Sequence, residues 1–312
     1  MTDTPLYGAG GPGAPGVLPG VPRPKVTVRT IREMKAKGEK IVSVTAYDYP
    51  TARLADEAGT DLILVGDSLG MVVLGYESTL PVTLAEMAHH VRAAARAKPR
   101  ALLVADLPFN YYQASPADAV RSSGRLVKNG GEAVKLEGGR RMLPQIEAIL
   151  AADIPVLGHL GLTPQSIHRF GGYRVQGKGR EAADALLEDA LALERAGCFA
   201  LVLEGVPLEL GREVTRAVGI PTIGIGAGAD CDGQVLVLHD MLGLSFGRPA
   251  RFVRRYAELG NIARSALAAF GEDVRAGRYP TLEESYTASP APQAAPAPQA
   301  APAPSRAPGP KR

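Results

Sequence analysis

Ionisable residues recur at one kind of place in this chain: within or just after short apolar runs. The second run ends in Gly66-Asp67-Ser68, the third in Asp106-Leu107-Pro108, and the fourth reads Val134-Lys135-Leu136-Glu137. The fifth contains His159 between Gly158 and Leu160, and the sixth ends in Leu203-Glu204-Gly205. Asp67, Asp106 and Glu137 follow three consecutive runs. Brought together, three carboxylates repel unless a cation lies among them or one is protonated. An all-oxygen set without Cys favours Mg²⁺ over zinc; taken singly, each is equally readable as a loop acid or a helix cap. Lys135 and Glu137 are two apart, so on a strand they share a face. An inward Lys135 can neutralise a substrate carboxylate, form a Schiff base, or serve only as a structural partner for Glu137. Glu204, a carboxylate among aliphatics, suits a general base acting on a C–H, with a salt-bridged rim acid as the plain alternative. His159 either hydrogen-bonds a ligand or is a satisfied core histidine.

These residues need a frame that collects them. Eight apolar runs, at 41–47, 62–65, 101–105, 133–136, 155–160, 199–203, 222–225 and 235–238, are continuous rather than alternating, as expected for parallel strands buried on both faces. Helical segments separate them. Thr83 and Glu86 have capping-box spacing, Ser115-Pro116 is a start signal, and Gly197 and Gly219 are stop signals. Eight strand–helix repeats predict a (β/α)₈ barrel, or an open doubly wound sheet. The short gap between the last two runs is the weak point, since parallel crossovers usually need about a dozen residues. In either fold the site lies at the C-terminal strand ends, where all the residues above fall. Residues 29–37 predict a helix covering the barrel floor, and 251–276 one or two terminal helices. The Gly-rich stretch 164–180 fits a mobile lid. Gly224-Ile225-Gly226-Ala227-Gly228 is Gly-rich after a strand but lacks phosphate-loop spacing. His89 and His90 fall on a helix away from the rim.

The chain has 312 residues, 46% hydrophobic and 21% charged, which suits one barrel with extensions. Of 26 prolines, 6 lie in residues 1–24 and 8 in 289–312, so these ends are expected to be disordered and 25–288 to form one catalytic domain. The net charge of +3 comes from Arg306, Lys311 and Arg312, which leaves a neutral body. That body lacks the basic footprint of a nucleic-acid binder. No apolar stretch reaches the length of a membrane span. Cys198 and Cys231 form no CxxC pair, and a cytoplasmic location is expected.

The strings VTAYDYPTARLADEAG at 44–59, LVGDSLGMVVLGYESTLPVTL at 64–84, ADLPF at 105–109, VKLEGG at 134–139, GHLGLTPQS at 158–166, FGGYRVQGKG at 170–179, LVLEGVP at 201–207 and IPTIGIGAGADCDGQVLVLHDMLG at 220–243 together resemble the ketopantoate hydroxymethyltransferase family. The resemblance implies a TIM barrel of the phosphoenolpyruvate/pyruvate type. It implies Mg²⁺ bound by Asp67 and Asp106 with Glu137 close by. The 2-oxo acid 3-methyl-2-oxobutanoate would be held by these groups and by Ser68, Lys135 and His159, with Glu204 as base at C3. It further implies a Mg-stabilised enolate, 5,10-methylenetetrahydrofolate as co-substrate, 2-dehydropantoate as product, and a homo-oligomer, in bacteria commonly a decamer. Two other readings compete. A related Mg²⁺-dependent 2-oxo acid lyase or mutase would often use a Cys or another base, and a non-catalytic metabolite-binding barrel would not need Glu204.

Overall fold

A computed structural model describes residues 24–286. The leader and tail singled out above lie outside them, apart from Pro24. The eight runs form eight parallel strands, β1 (Ile41–Thr45), β2 (Leu62–Val65), β3 (Leu102–Asp106), β4 (Ala133–Glu137), β5 (Val156–Gly161), β6 (Ala200–Glu204), β7 (Thr222–Ile225) and β8 (Gly233–Leu236). Each pairs with the next, and β8 pairs with β1, so the sheet is a closed barrel rather than an open one.

The strands are buried on both faces for two separate reasons. Leu62, Leu64, Leu102, Val104, Ala133, Leu157, Ala200, Val202, Ile223 and Ile225 form one cluster, the barrel interior. Their neighbours Ile63, Val65, Leu103, Ala105, Val134, Leu136, Leu201 and Leu203 belong to a second cluster, packed with helix residues such as Met87, Val91, Leu126, Ile146 and Leu193. With side chains alternating faces at period two, this places Asp106, Lys135, Glu137, His159 and Glu204 on the inward parity. An alternating inside–outside division of hydrophobic residues thus carries the polar ones to the barrel axis.

Helix boundaries follow the local chemistry. The helix Leu84–Ala95 starts at Thr83, whose hydroxyl accepts from the Glu86 N–H at 3.2 Å while the Glu86 carboxylate accepts from the Thr83 N–H at 2.7 Å. Ser115 caps Pro116–Lys128, and Gly197 ends Arg180–Ala196 in the left-handed conformation. The expected floor helix is Val28–Lys37. Its Ile31 is fully buried in the interior cluster, closing that end of the barrel.

Two sequence expectations shift. β8 starts at Gly233, two residues before the apolar run, so the connection from β7 shortens to residues 226–232 and holds no helix. Gly226 and Gly228, both at positive φ, turn it. Asp232 ties it down by accepting from the Thr222 N–H at 2.8 Å and pairing with Lys35 at 3.0 Å. The stretch 164–180 is not uniformly irregular either: it opens with a 3₁₀ turn, Pro164–Ser166, and a short helix, Ile167–Phe170.

The described residues divide into two units, one ending at Asn261 and one beginning at Ile262. The barrel and every candidate site residue lie in the first. The helix Leu259–Arg275 supplies most of the described part of the second; it is a single helix and none of its residues is buried.

Candidate active site

Strand register stacks the inward polar residues in steps. Asp106 pairs with Lys135 across β3 and β4, Glu137 with His159 across β4 and β5, and Gly161 with Glu204 across β5 and β6. All seven predicted residues, Asp67, Ser68, Asp106, Lys135, Glu137, His159 and Glu204, line one cavity of about 1080 Å³ at the C-terminal end of the barrel. The structure therefore brings the whole predicted set together.

Asp67 and Asp106 interlock. The Asp67 backbone N–H donates to Asp106 Oδ2 at 3.0 Å. The residue before it must be glycine, because a Cβ at Gly66 would lie 2.9 Å from Ser68 Oγ and 3.3 Å from Asp106 Oδ2. Ser68 is held by Tyr47, whose hydroxyl is 2.9 Å from Ser68 Oγ. Lys135 Nζ pairs with Asp106 Oδ1 at 2.8 Å and donates to His159 Nδ1 at 3.2 Å. A neutral His159 accepting that bond carries its proton on Nε2, which lies 3.3 Å from Glu204 Oε2. His159 Nδ1 is 3.4 Å from Glu137 Oε1.

The electrostatics follow from burial. Burial pushes the Asp67 carboxyl well above the usual range, and the charges of Asp106 and Glu137 push it further, against Lys135 and Gln165. Burial also raises Asp106, with the adjacent Lys135 ammonium opposing it. Burial opposes the charged form of Lys135, but the three carboxylates outweigh it and hold the ammonium more firmly protonated than a free lysine. His159 is raised because Glu137 and Glu204 overcome the contrary effects of burial and of Lys135. Glu204 is more open than its charged neighbours: its side chain is 16% exposed, against 3–5% for Asp106, Lys135, Glu137 and His159. Its carboxylate is thus the more accessible from the cavity it lines. Gly161 beside it has φ +92°, and a Cβ there would lie 2.2 Å from the Glu204 carbonyl oxygen, so β5 and β6 approach closely only because this residue is glycine.

The donor set fits a hard divalent cation. Glu137 Oε1 and Asp106 Oδ1 are buried without a hydrogen-bond partner, the latter facing only the Lys135 charge. Among the described residues no group of three or more His, Cys, Asp or Glu is arranged to hold a metal ion by itself. Adjacent carboxylates without a thiolate are the donor chemistry of Mg²⁺, which usually takes one or two carboxylates and fills its other positions with water and substrate oxygens.

Several residues lining the cavity or bonded to its acids escaped the sequence reading. Gln165 donates to Asp67 Oδ2 at 2.9 Å, and Tyr112 accepts from the Glu137 N–H at 3.1 Å. Tyr173 and Arg174, from the Gly-rich stretch after β5, line the mouth with Arg248 and Arg251. Gln165 and Tyr112 are uncharged, and only their position in the strings GLTPQS and NYYQ marks them. Cys198 and Cys231 are buried in the outer core cluster, and burial pushes the Cys198 thiol up to about 12, so neither is a reactive thiol at the rim. His89 and His90 sit on the helix Leu84–Ala95 and do not line the cavity.

Against known proteins, residues 25–282 match the family model described as ketopantoate hydroxymethyltransferase. This chain belongs to the ketopantoate hydroxymethyltransferase family. Curated members include the 3-methyl-2-oxobutanoate hydroxymethyltransferases of Moorella thermoacetica, 56% identical over 265 residues, and Koribacter versatilis, 55% identical over 265 residues. These alignments cover 85% of this chain and 98% and 90% of the two relatives. The chain is thus an enzyme of this family. The barrel also resembles solved structures of 2,3-dimethylmalate lyase, a PEP mutase/isocitrate lyase superfamily member, at TM-score 0.53 and 18% identity, and of phosphonopyruvate hydrolase with oxalate and Mg²⁺, at TM-score 0.55 and 13% identity. The first match covers 82% of this chain and 92% of that one, and so does the second; at these identities they show a shared fold. Among the described residues no helix is long and apolar enough to cross a membrane.

Proposed function

We propose that this enzyme transfers a hydroxymethyl group from 5,10-methylenetetrahydrofolate to 3-methyl-2-oxobutanoate, giving 2-dehydropantoate, with Glu204 as the base that removes the C3 proton. The observation that carries this reading is the placement of Glu204. It is more open than the cavity acids Asp106 and Glu137, and it sits on β6, across His159 of β5 from the group of Asp67, Asp106, Lys135 and Glu137. A base needs contact with the reacting C–H, while the groups holding the acid end of the substrate need to be fixed.

Asp67 and Asp106 would hold a Mg²⁺ ion, with Glu137 reaching it through water. When bound, the ion supplies positive charge where the 2-oxo oxygen gains negative charge during C3 deprotonation. Lys135 adds a fixed cation beside Asp106, which favours the carboxylate of an anionic substrate. The Ser68 hydroxyl, oriented by Tyr47, donates a hydrogen bond to that carboxylate. Glu204 takes the C3 proton, and the C–H electron pair moves into the C2–O unit as an enolate. Water opens the one-carbon bridge of the folate: both carbon–nitrogen bonds break, the two water protons go to the released nitrogens, and the carbon is freed as formaldehyde. The enolate C3 bonds to that carbon, and the formaldehyde oxygen takes the proton back from Glu204 to become the new hydroxyl. His159 Nε2, 3.3 Å from Glu204, steadies the carboxylate before and after it gains the proton. A cavity of about 1080 Å³ has room for the folate beside a small 2-oxo acid.

Mixing the protein with 3-methyl-2-oxobutanoate and 5,10-methylenetetrahydrofolate is expected to give 2-dehydropantoate with Mg²⁺, no product with EDTA, and recovery on adding Mg²⁺ in excess. A protein that binds the 2-oxo acid but turns over nothing in any of these conditions would instead be a metabolite-binding barrel.

A further inference from the structure

Gln165 is buried in the 3₁₀ turn after β5, and every hydrogen-bonding position of its side-chain amide is used. Nε2 donates to Asp67 Oδ2 and to the Leu107 carbonyl, both at 2.9 Å. Oε1 accepts from the Tyr112 hydroxyl at 2.8 Å and from Gln113 Nε2 at 3.1 Å. Its backbone N–H donates to Glu137 Oε2 at 2.9 Å. One residue therefore grips a carboxylate oxygen on each of two acids that come from different strands.

The orientation of the amide is determined by its partners. A flipped amide would set Oε1 against a carboxylate and a carbonyl, and Nε2 against the Gln113 amide donor. Tyr112 reinforces this. Its hydroxyl accepts the Glu137 N–H at 3.1 Å, and of the two acceptors within reach of its proton, Gln165 Oε1 at 2.8 Å is nearer than the Glu137 carbonyl at 3.1 Å. Tyr112 is itself fully buried, so no water competes for that bond.

The chemistry of the residue matters as much as its reach. A lysine or arginine here could also bind Asp67, but it would neutralise the cluster and compete with a cation. An amide donates hydrogen bonds without adding charge. It fixes Asp67 Oδ2 while the backbone N–H of the same residue fixes Glu137 Oε2, so neither bond uses the second oxygen of these acids, and Glu137 Oε1 is left without a hydrogen-bond partner.

We propose that Gln165 is a positioning residue for the metal site: it presets the carboxylates of Asp67 and Glu137 for a divalent cation, and Tyr112 in turn holds Gln165. This rests on the metal reading given above. Outer partners of metal ligands commonly change affinity by about 10–100-fold when removed, because the ligand must then be ordered at the moment of binding.

The test is Mn²⁺ binding to the substrate-free protein, read by electron paramagnetic resonance of free Mn²⁺, alongside the melting temperature of the metal-free protein. Gln165→Met, of similar length but without donors, is expected to raise the Mn²⁺ Kd by about 10–100-fold. Tyr112→Phe, which keeps the ring and leaves the amide unanchored, is expected to shift it in the same direction by a smaller factor, and it carries the test if Gln165→Met fails to fold. A purely structural role would lower the melting temperature and leave the Kd within about threefold of the starting protein; that result overturns the proposal. If the unmodified protein takes up no Mn²⁺, the metal reading itself fails and the proposal with it, an outcome distinct from unchanged affinity in the variants.

Discussion

Glu204→Gln is expected to abolish deuterium exchange at C3 of 3-methyl-2-oxobutanoate while leaving binding of that acid and of Mn²⁺ nearly intact. The amide matches the carboxylate in size and keeps its contact with His159, but it cannot accept a proton from carbon. Losing a positioned general base costs about 10²–10⁴-fold in rate. Binding should survive because Glu204 belongs to neither part of the fixed cluster: it pairs in register with Gly161 and is separated from Asp67, Asp106 and Lys135 by the His159 ring. Exchange at the unmodified rate in Glu204→Gln would move the base elsewhere, with Glu137 the nearest carboxylate to His159 after Glu204.

Lys135→Met is expected to destabilise the metal-free protein severely. Lys135 is buried against Asp106 and is the one ammonium among the charges acting on Asp67 and Asp106. Breaking a buried ion pair by removing one partner costs roughly 3–5 kcal/mol, which for a chain of this size lowers the melting temperature by on the order of 10 °C. The pH dependence has a definite sign. Asp67 and Asp106 are raised in the folded state, so they bind protons more tightly there than in the unfolded chain. Their contribution to stability is fully present below the unfolded value of 3.8 and is lost as pH rises through the folded value. Without the ammonium both are raised further. The deficit of Lys135→Met should therefore be largest at neutral and alkaline pH and narrow on acidification, and Mg²⁺ should recover more stability in the variant than in the unmodified protein. Thermal melts across pH, with and without Mg²⁺, measure this; a variant within a few degrees of the parent at neutral pH would contradict the role of Lys135 as the internal counter-charge.

What could be read from the sequence depended on whether a residue's type was out of place. Lys135 and Glu137 inside an apolar run, and Glu204 at the end of another, announce themselves, because a charge among aliphatics at strand spacing must face a cavity. The same logic located Asp67 and Asp106 at run ends. Gln165 and Tyr112 gave no such signal: a neutral amide and a tyrosine in loops are common, and only the hydrogen bonds to Asp67 and Glu137 show what they do. β8 was misplaced by two residues for a related reason. Gly233 and Gln234 look like loop, but closing the barrel pairs them with Ile41 and Val42, and that long-range constraint overrides local preference. The floor helix and the capped helices were legible because their signals are local: Thr83 with Glu86, and Ser115 with Pro116. The folate end of the reaction had no residue-level signature. It was implied only by the family resemblance.

The cavity is expected to deprotonate a 2-oxo acid at C3 with the help of a divalent ion. The most direct measurement follows deuterium incorporation at C3 of 3-methyl-2-oxobutanoate by proton NMR, with the protein and Mg²⁺ present and no folate. Exchange is expected with Mg²⁺ and is expected to stop with EDTA. Exchange that continues at the same rate in EDTA, or hydroxymethyl transfer that proceeds in a protein showing no exchange, would contradict it.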